Sequence, residues 1–166
     1  MDKNSARKEA KRIIAGINER RKKDFQIMER ITSLPAFSSA DVILSYSALA
    51  DEVDISEIFD FRFLFPFLEG NDMFFSRAPL KMGRFSIFEP LEKTEIEYEN
   101  ALLLVPALSY TESGIRLGRG MGYYDRYARK NRRRIFTCGI IYSDLIMDFE
   151  TEEHDMKADI LISDSI

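Results

Sequence analysis

Leu102-Leu-Leu-Val105 is apolar at every position, and the reading of that run decides the fold. A strand with one wet face alternates apolar and polar residues, whereas a continuous apolar run is buried on both faces. A mostly continuous apolar texture recurs in Val42 to Tyr46, Phe63 to Phe65, Ile135 to Tyr142 and Ile160 to Ile162. Five such runs separated by helical or turn segments predict an α/β fold: a mostly parallel central sheet with flanking helices.

The surrounding segments fit that frame. Ala6, Ala10, Ile13, Ile14 and Ile17 fall at helical spacing and predict an amphipathic helix over 3–17, with Asp2 as its cap. A polar break from Asn18 to Lys23 separates it from a second helical pattern, Phe25, Met28 and Ile31, which Pro35 should end. Ile55, Ile58 and Phe59 predict a short helix behind Asp54 or Ser56, and another helix should begin near Tyr123 and run through Arg129. Met73 to Phe75 and Phe85 to Phe88, around Pro79 and Gly83, suggest a local antiparallel excursion. The run Phe63-Leu-Phe-Pro-Phe-Leu reads as a core strand with a proline at its end.

Composition narrows the function. The 166 residues suit a single domain, 1–166, with one contiguous core. With 24 Lys plus Arg against 28 Asp plus Glu, the net charge of −4 argues against a nucleic-acid coat or a membrane-surface binder. The single cysteine, Cys138, excludes an intramolecular disulfide framework, and with one histidine, His154, no Cys/His zinc site of the usual composition can be assembled. Residues 1–12 are too charged for a signal peptide, and no apolar run approaches the roughly 20 residues of a spanning helix. The expectation is a soluble, unprocessed, cytoplasmic protein.

The chemistry concentrates elsewhere. Four of the eight glycines lie in Gly114-Ile-Arg-Leu-Gly-Arg-Gly-Met-Gly122, followed by Tyr-Tyr-Asp125. Glycines at 118, 120 and 122 let backbone N–H groups converge and a ligand approach without Cβ obstruction. Arg116 and Arg119 add planar cationic forks suited to phosphate, and the following helix adds its positive end. The pattern is neither a P-loop, lacking Gly-Lys-Ser/Thr, nor the dinucleotide fingerprint. From these residues alone it is either an anion cradle for nucleotide phosphates or a tight turn whose arginines are solvated.

Asp125 is either a helix cap or a carboxylate that holds Mg²⁺ beside a polyphosphate. Ser47 and Glu52 follow the first strand, where an open parallel sheet binds its ligands, and are placed to meet a polar organic substrate. His154 reads as a surface residue, and Arg129 to Arg134 as a solvated helix end, with RNA binding the weaker alternative.

Val105-Pro106 followed by Arg116-Leu-Gly-Arg-Gly-Met-Gly-Tyr-Tyr-Asp125 resembles the 5-formyltetrahydrofolate cyclo-ligase family. Lys3 and Arg7, Asp51-Glu52, Phe88-Glu-Pro90 and His154-Asp-Met-Lys-Ala-Asp159 extend the match over nearly the whole chain. The resemblance implies a fold similar to the ribose-phosphate isomerase and CoA-transferase group. It implies conversion of 5-formyltetrahydrofolate and MgATP to 5,10-methenyltetrahydrofolate, ADP and phosphate, through phosphorylation of the formyl oxygen and attack by nitrogen 10. Carried onto matching positions, Lys3, Arg7, Arg116, Leu117, Gly118, Arg119, Gly120, Met121, Gly122, Tyr123 and Tyr124 would hold ATP. Asp125 and Asp155 would serve Mg²⁺, while Ser47, Glu52 and Tyr123 would meet the folate. Arg116, Arg119 and Tyr123 would carry catalysis without an enzyme nucleophile. The expected partners are these small molecules, with no nucleic acid and no membrane, and the protein should be a monomer.

Three departures stand out. Ala107 replaces a glycine, Ser109-Tyr110-Thr111 replaces a small residue, phenylalanine and aspartate, and Phe67 follows Pro66 where a basic residue is common. Thr111 would loosen its loop if the carboxylate orders it, and Phe67 would remove one contact to the folate. These departures motivate the alternative of a non-catalytic nucleotide- or folate-binding regulator.

Overall fold

The computed structural model describes residues 1–83 and 87–165. The strand expected over 85–88 therefore falls partly outside the described residues.

The apolar runs form one six-stranded sheet in the order β10-β9-β6-β1-β2-β3. Its strands are β1 (Val42–Leu44), β2 (Phe63–Glu69), β3 (Asp72–Arg77), β6 (Ala101–Pro106), β9 (Ile135–Ile140) and β10 (Ile160–Ile162). All neighbours pair in parallel except β2 and β3. β6 lies between β1 and β9 and is buried along its whole length, as its unbroken apolar run requires. The chain runs from β1 to β2 on one side and later returns to β6 on the other. The switch point therefore lies at the carboxyl ends of β1 and β6, where a crevice opens.

Helix α1 (Lys3–Ala15) is capped as expected, the Asp2 carboxylate accepting from Ser5 N–H at 2.9 Å. Helix α2 (Arg20–Thr32) starts inside the stretch read as a polar break. Its polar first turn is held by tertiary contacts that helical periodicity does not show: Lys23 pairs with Asp144 at 2.6 Å, and the Asp24 carboxylate accepts from Tyr142 Oη–H at 2.6 Å. Pro35 starts a short helix, α3 (Pro35–Ser39), after α2 has already ended. Residues Ser56–Ile58 form only one 3-10 turn, with Asp54 accepting from Ser56 N–H. Helix α4 (Tyr123–Lys130) packs on β3, with Tyr127 edge-on to Phe75 at 5.0 Å between centroids.

Pro66 lies within β2, not at its end. β2 pairs with β1 only through Phe63 and Leu64, so at Pro66 that side of the strand has no ladder bond to lose. The antiparallel excursion also pairs differently from the expectation. Met73 to Phe75 joins β2 in the main sheet, while β4 (Leu80–Met82) pairs with β5 (Phe88–Pro90). Among the described residues, no helix is long and apolar enough to cross a membrane.

A second small hairpin, β7 (Ser109–Tyr110) with β8 (Arg116–Leu117), seats the site on the sheet. Tyr110 crosses β9 at Gly139, where any Cβ would meet its ring at 2.7 Å, and its hydroxyl donates to the Val105 carbonyl at 2.9 Å. Thr111 does not leave the hairpin turn loose. Its hydroxyl accepts from Ile115 N–H at 3.0 Å, while backbone bonds join Thr111 N to Ile115 O and Gly114 N to Thr111 O.

A candidate active site of two cavities

The glycine-rich segment 118–122 links β8 to α4, with Gly120 and Gly122 at φ 108° and 72°, a region glycine enters without strain. At Gly118 a Cβ would lie 2.5 Å from Arg116 Nη1, so that glycine admits the arginine fork across the loop. Arg116 is fixed from below: its Nε donates to the Pro106 carbonyl at 2.9 Å, and its guanidinium lies 4.7 Å from the Tyr124 ring centre. Arg7 of α1 donates from Nε to the Gly118 carbonyl at 2.9 Å, tying the N-terminal helix to the loop.

The segment after residue 150 closes the other side. Arg116 N bonds Met156 O and Ala158 N bonds Gly114 O, both at 2.9 Å, while Asp125 Oδ1 accepts from Met156 N–H at 2.9 Å. These bonds place Asp155, its side chain 8% exposed, beside Lys3, whose Nζ is 2.7 Å from Asp155 Oδ1 and 2.5 Å from Glu152 Oε2. The resulting cavity, of about 440 Å³, is lined by Lys3, Arg7, Arg116, Leu117, Gly118, Gly120, Met121, Gly122, Asp125 and Asp155. Arg126, Arg129, Glu152 and His154 also line it. Arg129, expected at a solvated helix end, joins this lining; its i, i+4 spacing from Asp125 is the sequence signal for a shared face.

A second cavity, of about 480 Å³, opens beyond β1 and is lined by Ser47 and Glu52 together with Arg20, Asp24, Asp54 and Phe59. Glu52 is 9% exposed, and burial raises its carboxyl above the usual range although Leu49 N–H donates to it at 2.9 Å. Arg20 lies in the stretch expected to be a polar break and Asp24 directly after it, so neither carries a signal of its own.

Arg119 lines neither cavity. The glycines on either side of it line the first, while its Nη2 reaches Asp51 Oδ1 at 2.6 Å and comes within 3.7 Å of Glu52 Oε2, a wall of the second. Tyr124 lies beneath Arg116, and Tyr123 lies apart from both cavities. The Tyr123 ring is 5.0 Å from the Arg126 guanidinium, and it borders a third space of about 130 Å³ with Asn71 and Glu95. The structure thus brings Ser47 and Glu52 together but leaves Tyr123 away from them.

The sequence model of the 5-formyltetrahydrofolate cyclo-ligase family matches residues 2–164. The chain belongs to this family. A 5-formyltetrahydrofolate cyclo-ligase of Mycoplasma pneumoniae is 29% identical over 168 residues, 99% of each chain. One of Mus musculus is 36% identical over 70 residues, 39% of this chain and 34% of its own. The solved 5,10-methenyltetrahydrofolate synthetase of Aquifex aeolicus, at 26% identity, superposes with a TM-score of 0.81 over 100% of this chain and 91% of that one. That of Mycoplasma pneumoniae, at 24% identity, shares the fold with a TM-score of 0.75 over 99% and 100% of the two chains.

The residues present fit the groups that a cyclo-ligase implies. Three glycines and the cations Lys3, Arg7, Arg116, Arg126 and Arg129 match a polyphosphate, while Asp125, Asp155 and Glu152 offer the oxygen donors that a hard divalent ion takes. Ligand atoms of Glu152, His154 and Asp155 lie within 4.8 Å of one another. Cys138 is buried and its thiol is pushed up to about 12, so it offers no nucleophile. Phe67 is buried and stacks on Phe74 at 5.6 Å, so that position packs the hairpin β2–β3.

Proposed function

We propose that the chain is an ATP-dependent 5-formyltetrahydrofolate cyclo-ligase that binds ATP in the glycine-loop cavity and the folate in the cavity of Ser47 and Glu52. The observation that carries this reading is Arg119, whose backbone belongs to the phosphate loop while its guanidinium reaches the wall of the other cavity. A group in that place serves a phosphoryl group passing from one substrate to the other.

Lys3, Arg7, Arg116 and the amides of 118–122 hold the phosphates, while Tyr124 supports Arg116 from beneath. Asp125 and Asp155 hold Mg²⁺, which neutralises phosphate charge when bound. The formyl oxygen attacks the γ-phosphorus and ADP leaves, converting a poor leaving group into a good one. Nitrogen 10 then attacks the formyl carbon, closing the ring; phosphate departs with the former formyl oxygen, and nitrogen 10 loses its proton. The product carries a delocalised cation, and a carboxylate such as Glu52 in the lining of the folate cavity would favour that charge. Alignment and charge neutralisation supply the rate, and no covalent enzyme intermediate is required.

We assign the whole chain to one cyclo-ligase domain, acting as a cytoplasmic monomer. The non-catalytic regulator is not favoured, because Thr111 orders its own turn and Phe67 is buried against Phe74 in the β2–β3 hairpin.

The oxygen route tests the chemistry. With 5-formyltetrahydrofolate labelled with ¹⁸O in the formyl group, the released phosphate should carry the label. Unlabelled phosphate would rule out phosphorylation at that oxygen.

Asp125→Asn separates a metal ligand from a structural tie. Asparagine keeps an oxygen to accept the Met156 N–H, so the fold should hold, while half-maximal turnover should need about 10-fold more Mg²⁺. An unchanged Mg²⁺ titration would leave Asp125 as a tie alone.

A further inference from the structure

We propose that Asp51 is a positioning residue that fixes the Arg119 guanidinium between the two cavities, leaving Glu52 free for the folate. The inference rests on the cyclo-ligase reading and adds to it a role for a residue outside both cavities.

Asp51 is presented from a stiff turn. Glu52 N bonds Leu49 O at 3.0 Å, the Glu52 carboxylate accepts from Leu49 N–H at 2.9 Å, and Arg20 Nη2 donates to the Glu52 carbonyl at 3.3 Å. Arg119 by contrast ends in a long, rotatable side chain that is 39% exposed. A rigid acceptor facing a rotatable cation decides where that cation stays.

The two neighbouring acids are not equivalent. Asp51 lies at hydrogen-bond distance from Arg119 Nη2, 2.6 Å, whereas Glu52 is 3.7 Å from the same nitrogen and already accepts from Leu49. Asp51 is the more exposed, 28% against 9%, and Glu52, not Asp51, lines the cavity assigned to the folate. Among the described residues only Nη2 of Arg119 has a partner, so its Nη1 and Nε donors remain for an oxygen on a substrate. A guanidinium pinned by one nitrogen is oriented without being used up.

Asp51→Ala in the full-length protein should lower kcat by about 10- to 100-fold, the cost of a misplaced reacting group, while the KM for ATP changes less than about twofold. Asp51→Asn, which keeps the acceptor but not the charge, should fall between that variant and the wild type. On an Arg119→Ala background, Asp51→Ala should change kcat by less than about twofold, because the residue it positions is gone. The Arg119 Nε–H resonance in ¹⁵N-edited NMR should be ordered in the wild type and averaged in Asp51→Ala. Unchanged kcat in Asp51→Ala, an equal loss in both backgrounds, or an unaltered Arg119 resonance would each overturn the assignment. If the wild type forms no methenyl folate, the cyclo-ligase reading fails, and the resonance still decides whether Asp51 holds Arg119.

Discussion

Arg119→Ala is expected to lower kcat by about 10³-fold, within the range for removing a cation from a transferring phosphoryl group. Its thermal midpoint should stay near that of the wild type. Arg119 is 39% exposed and its ion pair with Asp51 is partly solvated, so its loss removes a contact of small net worth to the fold. Its removal does leave Asp51 and Glu52 without their nearest cation. Steady-state kinetics at saturating ATP and formyl folate, paired with thermal denaturation, check both halves. Wild-type kinetics in a folded Arg119→Ala protein would remove the arginine from the reaction.

Glu52→Gln should lower kcat/KM for the folate by about 10²-fold, matching the roughly 2–3 kcal/mol of a charge-assisted hydrogen bond. The same substitution should raise thermal stability at neutral pH. Burial raises the Glu52 pKa above its ordinary 4.5, so the folded protein holds that proton more tightly than the unfolded chain. Stability from this group is therefore highest at acidic pH, falls as pH rises from about the ordinary value through the raised one, and stays reduced above it. Glutamine keeps an oxygen to accept the Leu49 N–H and carries no buried charge. The stability gap between variant and wild type should thus open as pH rises through that window and close below it. A variant less stable than the wild type at neutral pH would show that the attraction of Arg119 outweighs the burial of Glu52.

These two residues also mark how far the sequence could be read. The parallel sheet was legible because β1, β2, β6, β9 and β10 are mostly continuous in apolar character, a property of chain order alone. The glycine loop that lines the first cavity was legible because glycine and arginine crowd into one stretch, and the place of Glu52 at the second because it follows a strand that ends at the switch point. Side-chain direction was not legible. Whether Arg119 turns into its own loop or across to Asp51 depends on a turn almost seventy positions earlier, which no local spacing reports. The start of α2 was hidden for the same reason, since the polar residues up to Lys23 look like a solvated break until Asp144 pairs with Lys23 and Tyr142 bonds the neighbouring Asp24. Pro66 misled because a proline in a strand is tolerated wherever one side of the ladder has already lost its neighbour. Tyr123 shows the limit of reading a motif as a unit. It stands beside Tyr124 in sequence, yet α4 sends it toward Arg126 and Gly70, while Tyr124 lies under Arg116.

The most direct test of the central claim is the near-ultraviolet absorbance of methenyl folate when the purified protein meets 5-formyltetrahydrofolate and MgATP, with ATP omitted as the control. The account predicts growth of that band only when ATP is present. A folded protein that binds ATP yet produces no such band would contradict it.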